Sequence, residues 1–189
     1  MRSGRSHGAA ALLAVFGVAL LASCSWIPFV GKKQAEKPAG PTCPITVILH
    51  PLANTAVFAP NIAPGDLKPL NVAWYGIFSD ISASCTVTGG TLHVSLDNVI
   101  VAERGSAAHS NDVDLNYFIS LTGPNQAIFG KKSFSVHITV PDKAKRGGVS
   151  DHVEVAFSTG GQPLSNLNLT VGFQESPQAI EFYKNFRGR

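Results

Sequence analysis

From residue 91 onward the chain alternates apolar and polar side chains with a period of two. Leu92, Val94 and Leu96 alternate with His93 and Ser95, and Leu115, Tyr117, Ile119 and Leu121 with Asn116, Phe118 and Ser120. Phe134, Val136, Ile138 and Val140 alternate with Ser135, His137 and Thr139, and Val153, Val155 and Phe157 with His152, Glu154 and Ala156. A last run sets Leu167, Leu169, Val171 and Phe173 against Asn168, Thr170, Gly172 and Gln174. Successive side chains on a strand point to opposite faces, so each run predicts a strand with one buried and one mostly polar face, as antiparallel sheets have. Apolar runs at Ile45 to Leu49, Val72 to Phe78 and Ile81 to Val87 predict three further strands. Turn signals separate them at Pro64-Gly65-Asp66, Gly89-Gly90, Gly123-Pro124-Asn125, Gly147-Gly148 and Gly160-Gly161. About seven to nine short strands at such spacing predict an all-β fold, an antiparallel two-sheet sandwich of immunoglobulin-like or transthyretin-like kind, with a closed barrel as the alternative. The outward sets are mostly Ser, Thr, His, Asn and Glu, which excludes a membrane-spanning barrel, whose outer face must be apolar. Ser176-Pro177 supplies a helix N-cap and a first-turn proline, predicting a short C-terminal helix over residues 178–186. Ile180 and Tyr183 share one of its faces, with Phe182 and Phe186 on the adjacent one, and the helix is expected to pack over one end of the sandwich.

The start of the chain follows a different pattern. Arg2 and Arg5 precede Ala9 to Ala22, fourteen residues without a charge or a strongly polar side chain. As a helix this stretch covers roughly 21 Å, short of the roughly 30 Å hydrocarbon core of a bilayer, so it reads as a signal peptide over residues 1–23. Leu21-Ala22-Ser23-Cys24, which ends it, resembles the lipobox of bacterial lipoproteins: an aliphatic residue, two small residues, then the cysteine that is acylated. The resemblance implies diacylglyceryl transfer to the Cys24 sulfur, cleavage before Cys24 and acylation of the new amino terminus. Ser25, where an Asp would favour retention in the inner membrane, implies transfer to the outer membrane. Residues 24–42 read as the lipidated cysteine and a flexible tether, with Pro28, Pro38, Pro41, Gly31 and Gly40 among mixed charges. Its apolar opening, Trp26 to Val30, either sits in the interfacial region of the leaflet or docks back on the domain. Residues 43–189 then form one β-sandwich domain.

Composition narrows the partners. Only 14% of the residues are charged, and 15 Lys and Arg against 12 Asp and Glu give a net charge of +3. Two of those positive charges are Arg2 and Arg5, which leaves +1 for the rest, and a chain so nearly neutral is not expected to bind nucleic acid. There are three cysteines. With Cys24 assigned to lipid, Cys43 and Cys85 pair as one structural disulfide of an exported protein. Cys43 falls in phase with Ile45, Val47 and Leu49, and Cys85 with Ile81, Ala83 and Val87, so both sulfurs are expected to point into one core. Neither thiol lies in a Cys-x-x-Cys motif or beside a basic cluster that would activate it.

Constellations that carry chemistry are weak. Ser150-Asp151-His152 contains the residue types of a hydrolase triad, but neighbours on a strand alternate faces and do not converge. Asp112, Asp114 and Asn116 match the first three ligand positions of an EF-hand loop, yet Tyr117 stands where Gly is required and Gly123 where Glu is required, so a surface loop is expected there. His93, His137 and His152 all fall on outward faces and would form a metal site only if their strands were neighbours. Lys131-Lys132 and the cluster of Lys143, Lys145 and Arg146 read as solvated turns, contact with anionic lipid or glycan being the alternative. Arg104-Gly105 ends a strand beginning at Thr91 and opens a polar loop over residues 106–111. Arg104 is expected to cap carbonyls or pair with Glu103 or Asp112, a recognition loop being the functional alternative. No catalytic residue, cofactor or metal is assigned.

Cys43-Pro44 with its aliphatic strand, Ala102-Glu103-Arg104-Gly105-Ser106-Ala107-Ala108, Asn116-Tyr117-Phe118, and Val171-Gly172-Phe173-Gln174 followed by Pro177 and Tyr183 resemble a family of uncharacterised alphaproteobacterial lipoproteins. That resemblance covers roughly residues 43–186. It implies lipidation, the disulfide and a single domain, and assigns no activity. The resulting expectation is a lipid-anchored outer-membrane protein whose sandwich faces the periplasm and binds another envelope protein without catalysis. A small-ligand or glycan-binding module is the alternative, which exposed aromatics such as Trp74 or Tyr75 would favour; a periplasmic enzyme would need titratable groups gathered in a cleft.

Overall fold

The computed structural model describes residues 43–186. The signal peptide, lipobox cysteine Cys24 and tether expected over residues 1–42 lie outside the described residues. Eight strands and one helix make up the domain: β1 (Ile45–Ile48), β2 (Asn54–Phe58), β3 (Val72–Thr88), β4 (Thr91–Arg104), β5 (Asp112–Thr122), β6 (Ile128–Thr139), β7 (Arg146–Ser158), β8 (Asn168–Phe173) and α1 (Pro177–Asn185). They form two four-stranded sheets with the orders β1-β8-β5-β6 and β2-β3-β4-β7. Every pairing is antiparallel except β1 with β8. This is the all-β two-sheet sandwich that the alternation predicts, with no barrel closure.

The core lies between the sheets. Leu92, Leu96 and Ile100 of β4 face Leu115, Tyr117, Ile119 and Leu121 of β5 and Leu169, Val171 and Phe173 of β8, all essentially inaccessible to water. At about 25 cal/mol per Å² of apolar surface, one such Leu or Phe contributes roughly 2 kcal/mol, which is why the period-two signal is so regular here. Phe118 and Ser120 are buried as well, although their phase is outward. At Phe118 the cover is a 3₁₀ turn at residues 50–52, whose Leu52 lies over Gly172, the cross-strand partner of Phe118, on the outer side of the first sheet.

Three local expectations are corrected. Val72 to Phe78 and Ile81 to Val87 are one continuous strand, because a bulge between Phe78 and Asp80 absorbs the break in phase. The segment from Asn54 to Phe58 is an additional edge strand, too short and too close to Pro51 to show a pattern. Ile45, Val47 and Leu49 face outward and are 67%, 38% and 41% exposed; Ile48 is the β1 residue packed on the core. Phase does not carry from Cys43 into β1, because the buried Pro44 lies between them outside the strand.

The disulfide forms as expected, Cys43 to Cys85, with the α-carbons 5.2 Å apart. Its location has a mechanical logic. β2 pairs only with the first part of β3, from Val72 to Ile77, so Asp80 to Thr88 overhangs with β4 as its one neighbour in the sheet. Cys85 sits on that overhang, and the bridge ties it to the chain entering the opposite sheet.

α1 starts where predicted. Ser176 Oγ accepts from the Ala179 backbone N–H at 3.1 Å, with Pro177 in the first turn. The helix lies against the β2 edge of the second sheet and not over an end. Phe182 packs edge-on against Phe58 at 5.4 Å between ring centroids, in a second cluster with Ala56, Leu67 and Val72. Ala179 and Phe182 are the buried positions, whereas Ile180 and Phe186 are 47% and 44% exposed.

Candidate functional site

β4 and β7 are neighbours in a register that sets Asp97 opposite His152 and Ser95 opposite Glu154, all on the outer face of the second sheet. His152 Nδ1 lies 2.8 Å from Asp97 Oδ1, and its Nε2 lies 3.5 Å from Ser95 Oγ. Carboxylate, imidazole and hydroxyl thus stand in the order of a hydrolase triad, assembled from residues other than Ser150-Asp151-His152. Among the described residues no oxyanion site accompanies it. Beside this trio β4 is hydrogen-bonded to β3 on one side and β7 on the other, so strand N–H groups are committed to the ladder and do not converge on a developing oxyanion. The Asp97 hydrogen bond also raises the His152 pKa, favouring imidazolium over the free base that would take a proton from serine. Next to the trio is a shallow open depression of about 420 Å³ lined by Ser84, Thr86, His93, Ser95 and Glu154.

The first sheet carries a second histidine cluster. Asp112, Asp114 and Asn116 are within β5 and not in a surface loop, and Asp114 pairs across the ladder with His137 of β6. His137 Nδ1 is 2.8 Å from Asp114 Oδ1 and its Nε2 3.5 Å from Asp112 Oδ1, while Thr139 Oγ1 donates to Asp112 Oδ1 at 2.6 Å. The hydrogen bond to Asp114 and the two negative charges raise the His137 pKa. His137 is therefore on one sheet and His93 and His152 on the other, and they do not gather. Among the described residues no group of three His, Cys, Asp or Glu side chains is arranged to hold a metal ion.

Between the sheets runs a polar network that the sequence reading missed. Tyr117 OH donates to Asp151 Oδ2 at 2.6 Å and accepts from Asn98 Nδ2 at 3.3 Å, and Asn98 Oδ1 is buried without a partner. Burial first, then the hydrogen bond to Asp151, holds the Tyr117 phenol far above its ordinary pKa, so it remains a proton donor. The signal was present: Asn98 is in phase with Leu92, Val94, Leu96 and Ile100, and Asp151 is in phase with Val153, Val155 and Phe157.

Glu175, in the link between β8 and α1, was missed too. Its Oε2 accepts from Thr55 Oγ1 at 3.0 Å, and its Oε1 is buried with no partner. Burial pushes its carboxyl up to about 7. Tyr183 of α1 and Tyr75 of β3 lie close by, and both phenols are raised chiefly by burial. Trp74 is 3% exposed, and Tyr75 packs on the α1 cluster, so neither offers the open aromatic platform that a glycan site would use.

Arg104 organises one end of the sandwich. Its guanidinium donates to the carbonyls of Ser110 at 2.6 Å, Val140 at 3.0 Å and Ala144 at 3.4 Å, and to Asn111 Oδ1 at 3.0 Å, and it stacks 4.7 Å from the Trp74 ring centre. It caps carbonyls, as expected, and pairs with neither Glu103 nor Asp112; Glu103 instead holds Arg146. Asn111 extends the brace to Asp142 at 2.7 Å. Gly105 is required beside it, because a Cβ there would collide with the Val72 carbonyl. No protein-family model matches the chain, and no curated protein or solved structure matches it.

Proposed function

We propose that the chain is a lipid-anchored envelope protein of the outer membrane, acylated at Cys24, whose sandwich acts in the periplasm as a non-catalytic accessory that binds another envelope protein. The observation that carries this reading is the use of cysteine. Of three cysteines, Cys43 and Cys85 are joined in a disulfide suited to an oxidising compartment, and the third ends a lipobox-like segment behind an apolar stretch. The binding role is supported by the two loops pinned through Arg104, since recognition loops held in one conformation lose less entropy on binding. Acyl labelling of the expressed chain, with Cys24→Ala as control, tests the anchor: label that persists in the variant refutes it. In-cell crosslinking from position 109, with mass spectrometry of what is captured, tests the partner. One stoichiometric envelope protein is the expected result, and no capture at saturating crosslinker refutes the accessory role.

A further inference from the structure

Strand register gathers four segments at one pole of the sandwich. Cys43 is tied to Cys85, near the turn that joins β3 to β4. Thr91, just beyond that turn, pairs with Ser158 at the end of β7, and the Thr159 N–H donates to the Gly90 carbonyl at 2.9 Å. Asn168 at the start of β8 pairs with both Ile45 and Thr122, which brings in the turn from β5 to β6. Phe129 then closes the pole by packing against the Gly123 and Gly160 backbones.

The chemistry of this pole is unlike the rest of the surface. Residues 43–48, 85–94, 120–132 and 156–168 contain no Asp or Glu, and their charged residues are Lys131 and Lys132. They also carry Ile128 and Ile45, at 69% and 67% the two most exposed large apolar side chains of the described residues, with Val87 at 38%. The opposite pole bears Glu103, Asp112, Asp114 and Asp142 together with Arg104, Lys143, Lys145 and Arg146, so its charge is dense but balanced in sign. Lys131 Nζ lies 4.2 Å from the centre of the Phe118 ring, on the outer face of the first sheet.

We infer that this pole rests on the lipid leaflet that holds the anchor, with Ile45 and Ile128 in the interfacial layer and Lys131 and Lys132 against anionic headgroups. The inference deepens the anchored reading above and depends on it for the tether. Residues 25–42, eighteen of them, separate Cys24 from Cys43, and Cys43 enters the domain at this pole. Whatever its conformation, a chain of that length reaches at most roughly 65 Å, so an acylated Cys24 confines this pole to the neighbourhood of the bilayer, where even a weak contact gains from the high local concentration. At the other pole four basic groups cancel the four acidic ones, whereas the two lysines here stand in segments without Asp or Glu, so anionic headgroups favour this end.

The test uses the full-length lipidated protein in phosphatidylethanolamine and phosphatidylglycerol vesicles containing nitroxide-labelled lipid. With Cys24 acylated and the other two cysteines bridged, a cysteine introduced as Ile128→Cys or His109→Cys is the free thiol and takes a fluorophore. The expected result is strong quenching at 128 and little at 109, the contrast falling with salt and in Lys131→Glu/Lys132→Glu, each lysine being worth roughly fivefold in affinity. Equal quenching at the two positions, or more at 109, overturns the inference. Intact mass on the same sample reports acylation separately. An unacylated chain would refute the anchor, and the same two labels on a Cys24→Ser background, read at high vesicle concentration, would still decide the pole, absence of contrast overturning it.

Discussion

Glu175→Gln isolates the one carboxyl whose burial has a calculable cost. In the folded protein the carboxyl titrates near 7, against an ordinary value of 4.5, because burial disfavours its charge and only Thr55 Oγ1 offsets this. A folded pKa above the unfolded one means that the stability is fully present below about 4.5 and is lost as pH rises toward and through about 7. At about 1.4 kcal/mol for each factor of ten, that difference corresponds to about 3 kcal/mol for a fully desolvated group. Glu175 is only half-buried, so solvent screening brings the expected loss to about 1–2 kcal/mol. Glutamine keeps an acceptor for Thr55 and removes the charge. Urea unfolding of the two proteins at about pH 4.5 and about pH 8 gives the comparison. The raised His137 and His152 also lose stability over this range, but equally in both proteins, so they cancel in the difference. The variant's stability relative to the parent is expected to rise by about 1–2 kcal/mol between the two pH values. A difference that stays flat, or runs the other way, refutes the assignment of a costly buried carboxylate to the β8–α1 link.

Replacing both Cys43 and Cys85 by Ser opens a loop of sequence separation 42 and is expected to cost about 4 kcal/mol in chemical denaturation; a loss below about 1 kcal/mol would mean that the β3 overhang holds without its tie. Gly105→Ala is expected to destabilise by about 2–3 kcal/mol through collision with the Val72 carbonyl. Gly65→Ala, with open space around its Cβ, should stay within about 0.5 kcal/mol, and equal effects would contradict the close approach. Tyr117→Phe removes one oxygen and leaves both Asn98 and Asp151 short of a partner, so a loss of about 1–3 kcal/mol is expected in thermal melts, against no loss if the network is dispensable.

Which parts of this were legible follows from what each signal encodes. Period two marks strands that are buried on one face and long enough to repeat, so β4, β5, β6, β7 and β8 were visible and the five-residue β2 was not. Face assignment failed at β1 because an edge strand of four residues has no repeat to anchor its phase. Alternation read as apolar against polar also hid Asn98 and Asp151, which occupy inward positions while being polar. Glu175 gave no sequence signal at all: its burial comes from Thr55 and α1, elements that meet it only in the folded chain. The Ser95, His152 and Asp97 trio depends on the pairing of β4 with β7, and strand order is not encoded in the pattern of a single strand.

The two poles also constrain one another. A domain lying on a leaflet through Ile45, Ile128 and the two lysines turns the Arg104 pole toward the periplasm, because the sheets run the length of the sandwich between them. That pole is the one whose loops are pinned by four guanidinium hydrogen bonds and carry the denser charge. Under the proposed orientation a partner approaching from the periplasm would meet a preorganised polar surface, while the weakly charged pole would offer it little beyond the exposed aliphatic side chains of Ile45, Val47, Val87 and Ile128. Position 109 then serves two experiments at once. If the label there is shielded by lipid, the membrane orientation is wrong, and the loops braced by Arg104 are also the wrong place to look for the partner.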